Sequence, residues 1–315
     1  MINVAASSID ETIRELPARQ AGVDRLAPVC GLCGAVGCER HLSAKYPDWL
    51  CRCVSCGVIF THPQPDDAEL AAIYDADYFQ AFGFGSNPDE YRRLKQAGFQ
   101  RLLDAAERFV APGRLLDVGS GLGDMLIAAQ SRGWNVTGLE PNPFAVARAD
   151  EQVPGVTVCG GLDDLSGRDE AFDLITCCDV LEHLRHPDGV LCQMRTLLRP
   201  GGCVLVTTVN ADSWPAQLLG SRWPHLHRDH LWYFNRRTLT RFVELAGFEV
   251  LHWTRPRKVF SLSYVLSILA TYGRCSLTKC SSRWLLHRLP SAVLHALWPM
   301  TEGQLLVARL KERSS

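Results

Sequence analysis

"LLDVGSGLGD", Leu115 to Asp124, sets three glycines at alternate positions (Gly119, Gly121 and Gly123) directly behind a short apolar run. An apolar run, a glycine bend and then the helix-like "DMLIAAQSRG" (124–133) read as strand, turn and helix. In an open α/β sheet a ligand binds at the carboxyl ends of the strands. There the first turn must let backbone approach it closely, and the next helix presents free N–H groups. A dinucleotide fingerprint wants G-x-G-x-x-G, but the sixth position here is Asp124. A carboxylate at the helix start disfavours a pyrophosphate and tolerates a ligand without phosphates.

The rhythm continues outward from this turn. Candidate strands are "WNVTGLE" (134–140), "VTVCG" (156–160), "FDLITCCDV" (172–180) and "CVLVTTVN" (203–210). Helix-like stretches are "NPFAVARAD" (142–150) and "QMRTLLRPGG" (193–202), the latter ending on a Pro-Gly-Gly turn, and "FEVLHW" (248–253) and "QLLVARL" (304–310) would close the sheet. Near-continuous apolar strands alternating with helices predict a parallel α/β sheet covered on both faces. Glu140 ends the second strand, 17 residues after Gly123, where a carboxylate can accept both hydrogen bonds of a ribose diol. An adenosine without its phosphates is implied.

These residues resemble the class I S-adenosylmethionine-dependent methyltransferases. "LDVGSGLG" looks like their first motif, "GLEPN" their ribose acid, "FDLITCCDVLEHLRHP" their fourth-strand motif and "LLRPGG" the turn before their fifth strand. The resemblance runs over Arg114 to Val250. It implies a Rossmann-like seven-stranded core and S-adenosylmethionine as cofactor. At matching positions it implies backbone at Gly119, Gly121 and Gly123 beside the methionine part, Asp117 near its amino group and Glu140 on the ribose. Ser120 stands where the family often has cysteine. Asp163 is similar to the acid that meets the adenine amino group, with Asp164 able to take that role, and Asp179 would line the methyl-transfer site.

The chain has 315 residues, 47% hydrophobic and 21% charged, enough for one sizeable core and a smaller unit. A formal charge of -1 gives no general attraction to phosphate backbones, which argues against nucleic acid as a partner and for a small-molecule acceptor. The first thirty residues lack a signal-peptide pattern, so a cytoplasmic location is expected. "VFSLSYVLSILATY" (259–272) and "WLLHRLPSAVLHALW" (284–298) are apolar stretches flanked by basic residues. Membrane contact there is less favoured than packing on the core or on a second subunit.

Thirteen cysteines in a chain of this size suggest metal ligation or core filling, and six of them lie between Cys30 and Cys56. Cys30-Gly-Leu-Cys33 and Cys53-Val-Ser-Cys56 are two C-x2-C pairs separated by 19 residues, the spacing of a four-cysteine zinc site. Four thiolates leave zinc no open position, so the site is expected to be structural; Cys38, His41 and Cys51 are the competing ligands. Gly34 and Gly57 each follow a second cysteine, where positive φ lets amides turn toward the thiolates. With the core behind it, this arrangement resembles the zinc-containing methyltransferases of bacterial sugar and secondary-metabolite pathways. In that family the segment matching Tyr74 to Phe79 resembles a lid over the cofactor.

Methyl transfer to an alcohol or enolisable carbon needs a proton acceptor, and histidine is the natural one. His183, in "DVLEH" past the fourth strand, and His230, in "HRDHLWYF" beside Asp229, are the candidates, with Tyr233 of the same stretch as a third catalytic candidate, while His186, His225 and His227 are expected in loop or surface roles. Asp179, Glu182 and His183 could instead form a D-x-x-E-H metal cluster, similar to the E-x-x-E-H site of quinone-biosynthesis O-methyltransferases. The organisation expected is a flexible tail (1–28), a zinc-ribbon module (29–62), a helical lid or linker (63–110) and an S-adenosylmethionine-binding domain (111–315). Insertions at 213–235 and 254–300 would cover the substrate. The rivals are a binding or scaffold protein keeping this fold, and an NAD(P)-dependent oxidoreductase or epimerase, which would want the missing sixth-position glycine.

Overall fold

Leu115, Leu116, Leu174, Ile175, Val204 and Leu205 are all buried. Neighbours along each strand point to opposite faces, so burial of both members of each pair means a sheet covered on both sides. In the computed structural model the described residues are 28–40, 47, 49–73, 88–165, 167, 171–256 and 302–311, together with parts of 258–300.

In chain order, β1 (Cys38–Arg40), β2 (Leu50–Cys53) and β3 (Ile59–Thr61) precede α1 (Asp67–Ile73) and α2 (Pro88–Ala106). The core then alternates β4 (Arg114–Val118), α3 (Asp124–Gln130), β5 (Asn135–Glu140), α4 (Pro143–Asp150), β6 (Thr157–Cys159), β7 (Phe172–Cys178), α5 (Pro187–Leu197) and β8 (Leu198–Val209). After it come α6 (Trp214–Leu219), β9 (Trp232–Tyr233), α7 (Arg236–Leu245), β10 (Phe248–Thr254), β11 (Lys258–Ser261), β12 (Leu297–Met300) and β13 (Gly303–Leu310).

The main sheet has seven strands in the order β10-β13-β8-β7-β4-β5-β6. β8, β7, β4, β5 and β6 run parallel, and β13 alone is antiparallel to both of its neighbours. This is the expected Rossmann-like α/β core. The chain leaves β4 toward β5 on one side and returns as β7 on the other, so the switch point where ligands bind lies at the end of β4, at Gly119 to Gly123. α2 and α3 bury Leu102, Leu103, Met125 and Leu126 with Leu115 on one face. α5 and α7 bury Leu191, Met194, Leu239 and Phe242 with Leu116 and Ile175 on the other.

A second, antiparallel sheet has the order β1-β2-β3-β9. Cys30 and Cys33 precede its first strand and Cys53 and Cys56 lie at the turn between β2 and β3, but the fourth strand comes from the 213–235 stretch. Sequence reading expected that stretch only as a cover. The helical pattern expected over 68–110 is two helices, with residues 74–87, and so the Tyr74–Phe79 lid, outside the described residues. Most of the tail and of the 254–300 insertion also lies outside them. "LLRPGG" departs from expectation too: α5 stops at Leu197, and the following residues already belong to β8, with a register shift opposite Phe172 and Leu174. Gly201, at φ 77, supplies the irregularity. Among the described residues, no helix is long and apolar enough to cross a membrane.

Candidate active site

The three glycines of the first turn all have positive φ, at 73, 52 and 83 for Gly119, Gly121 and Gly123. A Cβ on Gly119 would stand 2.5 Å from Val180 Cγ2, and one on Gly123 3.1 Å from Ala149 Cβ. On Gly121 it would meet nothing within 4 Å. Two glycines therefore let neighbouring elements close in, and the third leaves open space over the turn. The N–H groups of Gly119 and Ser120 donate to Leu139 O at 2.8 and 3.1 Å, pinning the turn to β5.

At the end of β5, Glu140 Oε2 accepts the Gly121 N–H at 2.9 Å and Oε1 accepts the Asn142 N–H at 3.0 Å. The acid and the bend, far apart in sequence, thus meet at the switch point. Burial raises the Glu140 carboxyl above the ordinary range, opposed by those two N–H groups. Asp117, inside β4, is buried and accepts the Thr176 hydroxyl at 2.6 Å. Burial pushes its carboxyl up to about 7, so an adjacent cation would decide its charge. The Ser120 hydroxyl is buried without a hydrogen-bond partner among the described residues.

Asp179 follows β7 and, among the described residues, is the sole non-glycine with positive φ, at 56. Such a conformation costs roughly 1–2 kcal/mol, and it is held here by the Thr207 hydroxyl on Asp179 Oδ1 (3.0 Å) and the Asp179 N–H on Thr207 O (2.9 Å). The 3-10 turn Leu162–Leu165 carries the two adenine candidates. There Asp163 accepts from Gln193 Nε2 on α5 at 2.6 Å, and Asp164 accepts the Gly161 N–H at 2.8 Å.

A family model described as a methyltransferase domain matches residues 89–253. The chain belongs to the methyltransferase-domain family. Its curated relatives include the ubiquinone biosynthesis O-methyltransferase of Aeromonas salmonicida, 31% identical over 147 residues, which cover 42% of this chain and 62% of that protein. The Pseudomonas aeruginosa protein of the same name is 34% identical over 112 residues, covering 33% of this chain and 47% of its own length. The chain thus spans about half to three-fifths of the length of these relatives. Phosphoethanolamine N-methyltransferase 2 of Haemonchus contortus, solved with S-adenosyl-L-methionine, shares the fold at TM-score 0.50 and 17% identity, over 81% of this chain and 62% of that one. A Bacillus halodurans C-125 chain assigned as a methyltransferase does so at TM-score 0.50 and 16% identity, over 69% of this chain and all of the other.

In this methyltransferase domain the structure brings His183 and His230 together, their rings edge to face with centroids 4.5 Å apart. His183 ends the 3-10 turn after β7, and its Nδ1 lies 3.1 Å from Asp229 O and 3.5 Å from Asp229 Oδ2. A carbonyl only accepts, so Nδ1 carries the hydrogen and Nε2 keeps its lone pair. Burial holds the His183 imidazole below its usual pKa, with Asp229 opposing. Burial, reinforced by the other histidines, does the same at His230, whose Nδ1 has no hydrogen-bond partner among the described residues. His225 and His227 join this cluster, with ring centroids 6.5 and 5.6 Å from His230, and His225 Nε2 lies 2.7 Å from Glu302. The Tyr233 ring also joins the cluster, its centroid 5.8 Å from that of His230, and its hydroxyl donates to His227 O at 2.9 Å.

Among the described residues, two groups of side chains suit metals. Glu182, His183 and His230 each offer a ligand atom within 4.8 Å of the others; His230 stands in this set where sequence spacing suggested Asp179. Cys30, Cys33, Cys53 and Cys56 form the other set, also within 4.8 Å, with Sγ separations of 3.6 Å (Cys30 to Cys56) and 3.5 Å (Cys33 to Cys53). Tetrahedral zinc at about 2.3 Å from each sulfur needs sulfurs about 3.8 Å apart, so the donor set fits. Gly34 (φ 69) and Gly57 (φ 80) close the two knuckles, donating to Cys30 O at 2.8 Å and Cys53 O at 3.0 Å. Cys38 and Cys51 lie outside this set.

Proposed function

We propose that the chain carries out S-adenosylmethionine-dependent methyl transfer to a small-molecule acceptor, a sugar or secondary metabolite, at oxygen or an enolisable carbon. The meeting of the Glu140 carboxylate with the Gly121 N–H, beside open space at the switch point, carries this reading. When bound, the cofactor supplies a methyl group on a sulfonium whose charge fades toward the transition state. In this reading Glu140 holds the ribose, Asp117 the amino group, and the open face of Gly121 admits the chain between them. Asp179, held rigidly at the end of β7, lines the place of transfer. Asp163 would have to release Gln193 to reach the adenine, or Asp164 to release the Gly161 N–H.

His183 is the proposed proton acceptor. Asp229 O fixes its Nδ1–H, which leaves Nε2 to take a proton, and burial keeps the ring neutral near pH 7. His230 packs against it and shares the task. We infer further that Cys30, Cys33, Cys53 and Cys56 hold one structural zinc ion. A second reading rests on Glu182, His183 and His230: a divalent cation there would acidify a phenolic acceptor, and methyl transfer would then respond to added Mn2+.

Calorimetry with S-adenosylhomocysteine tests the main reading. Wild type should bind it and not NAD, and Glu140→Ala should weaken binding by about 100-fold, the loss of two hydrogen bonds to a charged group. Absence of binding to wild type would leave the scaffold reading, and preference for NAD the oxidoreductase one.

A further inference from the structure

The four-cysteine module is bonded to the segment that carries His230. β3 pairs with β9, Ile59 opposite Tyr233 and Phe60 opposite Trp232. One step beyond, Thr61 is 0% exposed and uses both donors on this segment: its N–H on Leu231 O at 2.9 Å and its hydroxyl on His230 O at 2.7 Å. The segment in turn holds the turn that carries His183. The Leu231 N–H donates to Glu182 O at 2.6 Å, and Trp232 Nε1 donates to Leu184 O at 2.8 Å. From the other side the first knuckle presses on the same tryptophan, since a Cβ on Gly31 would lie 2.6 Å from Trp232 Cη2.

We propose that the cysteine module is a positioning device for the histidine pair, and that Thr61 is the positioning residue through which it acts. The proposal rests on the reading of His183 and His230 as the proton acceptors. A module serving stability alone could sit anywhere on the core surface. This one is hydrogen-bonded at the residue that bears one imidazole, and that residue's neighbour is bonded to the turn that bears the other. Asp229, whose carbonyl selects the His183 tautomer, directly precedes His230. Movement of the Thr61 contact therefore reaches the His183 ring through the backbone of a single residue, His230, and proton transfer tolerates heavy-atom separations of only about 2.6–3.2 Å.

Thr61→Val keeps the side-chain shape and removes the hydroxyl, while Thr61→Ser keeps the hydroxyl. Long-range 1H–15N spectra of the full-length, zinc-loaded protein labelled at histidine report which ring nitrogen bears the hydrogen. Wild type and Thr61→Ser should show His183 fixed as the Nδ1–H tautomer, and Thr61→Val should show it averaged between tautomers. The affinity for S-adenosylhomocysteine should stay within about 2-fold across all three, and turnover in Thr61→Val should fall by about 10-fold, as expected for a misplaced base. Gly31→Ala, which pushes on Trp232 from the opposite side, should produce the same averaging and serves if Thr61→Val fails to fold. A wild-type ring signature in both variants overturns the proposal, as does a parallel loss of cofactor affinity in Thr61→Val. If wild type itself fails to bind S-adenosylhomocysteine, the methyltransferase reading falls, while the ring signatures still report on the coupling.

Discussion

Gly119 and Gly121 sit two residues apart in one turn with the same sign of φ, yet an added methyl should act on them differently. In Gly119→Ala the new Cβ would collide with Val180 at 2.5 Å and the backbone would be strained, so stability should fall by about 2–4 kcal/mol with a lower melting temperature. Gly121→Ala meets open space, so it should remain folded at a cost of about 1 kcal/mol while S-adenosylhomocysteine affinity, read by calorimetry, falls at least about 10-fold. Asp117 sets a pH dependence. Its carboxyl, raised to about 7 by burial, is protonated below that value and must lose the proton to face an ammonium. Cofactor affinity should therefore rise as pH increases through 7 and then level off, and Asp117→Asn should abolish the dependence. By the same linkage, the raised carboxyl lowers the stability of the free protein as pH rises from 3.8 to about 7. The meeting of the glycine turn with Glu140 was legible in sequence because β4, α3 and β5 follow one another directly and adjacent parallel strands end side by side. Asp163 and Asp164 were not resolved by sequence, because the Asp163 partner, Gln193, lies on a helix 30 residues further along.

At the scale of elements, the strands of the core announced themselves as apolar runs, whereas β9 could not. Two residues carry no periodicity, and Trp232 and Tyr233 become a strand only because β3 offers an unpaired edge. The pairing of His183 with His230 was hidden for the same reason, since it depends on where that edge draws the 213–235 stretch. Gln304 on β13 is a second link that sequence did not disclose. Buried, it donates from Nε2 to Val209 O at 3.1 Å and Phe234 O at 3.0 Å, and its Oε1 accepts from Trp253 Nε1 at 3.1 Å. Gln304→Leu would strand three polar groups and should destabilise the protein by about 2–4 kcal/mol in urea titration. A change under about 0.5 kcal/mol would show that water satisfies them instead.

For the molecule as a whole, the alternation of apolar strands and helices pointed to a parallel sheet covered on both faces, and the family resemblance to seven strands; β4, β5 and β7 are each followed by an α-helix, while β6, β10 and β13 are not. The relation of the cysteine module to that core was not legible. One apolar cluster runs from Leu116, Ile175 and Val206 through Trp232 and Phe60 to Cys30 and Cys53, so module and core share buried surface. Purified protein should contain about one zinc per chain, and chelation should lower the melting temperature within a single transition, because no apolar boundary separates the two units. Two resolved transitions would show the module to be an independent appendage. The nucleoside grip at the end of β4 and β5 is the claim beneath all of this, and a crystal structure with S-adenosylhomocysteine tests it most directly. Ribose hydroxyls are expected within hydrogen-bonding distance of Glu140, with the methionine part passing over Gly121. Ligand density elsewhere in the fold, with Glu140 still closed on Gly121 and Asn142 alone, would contradict it.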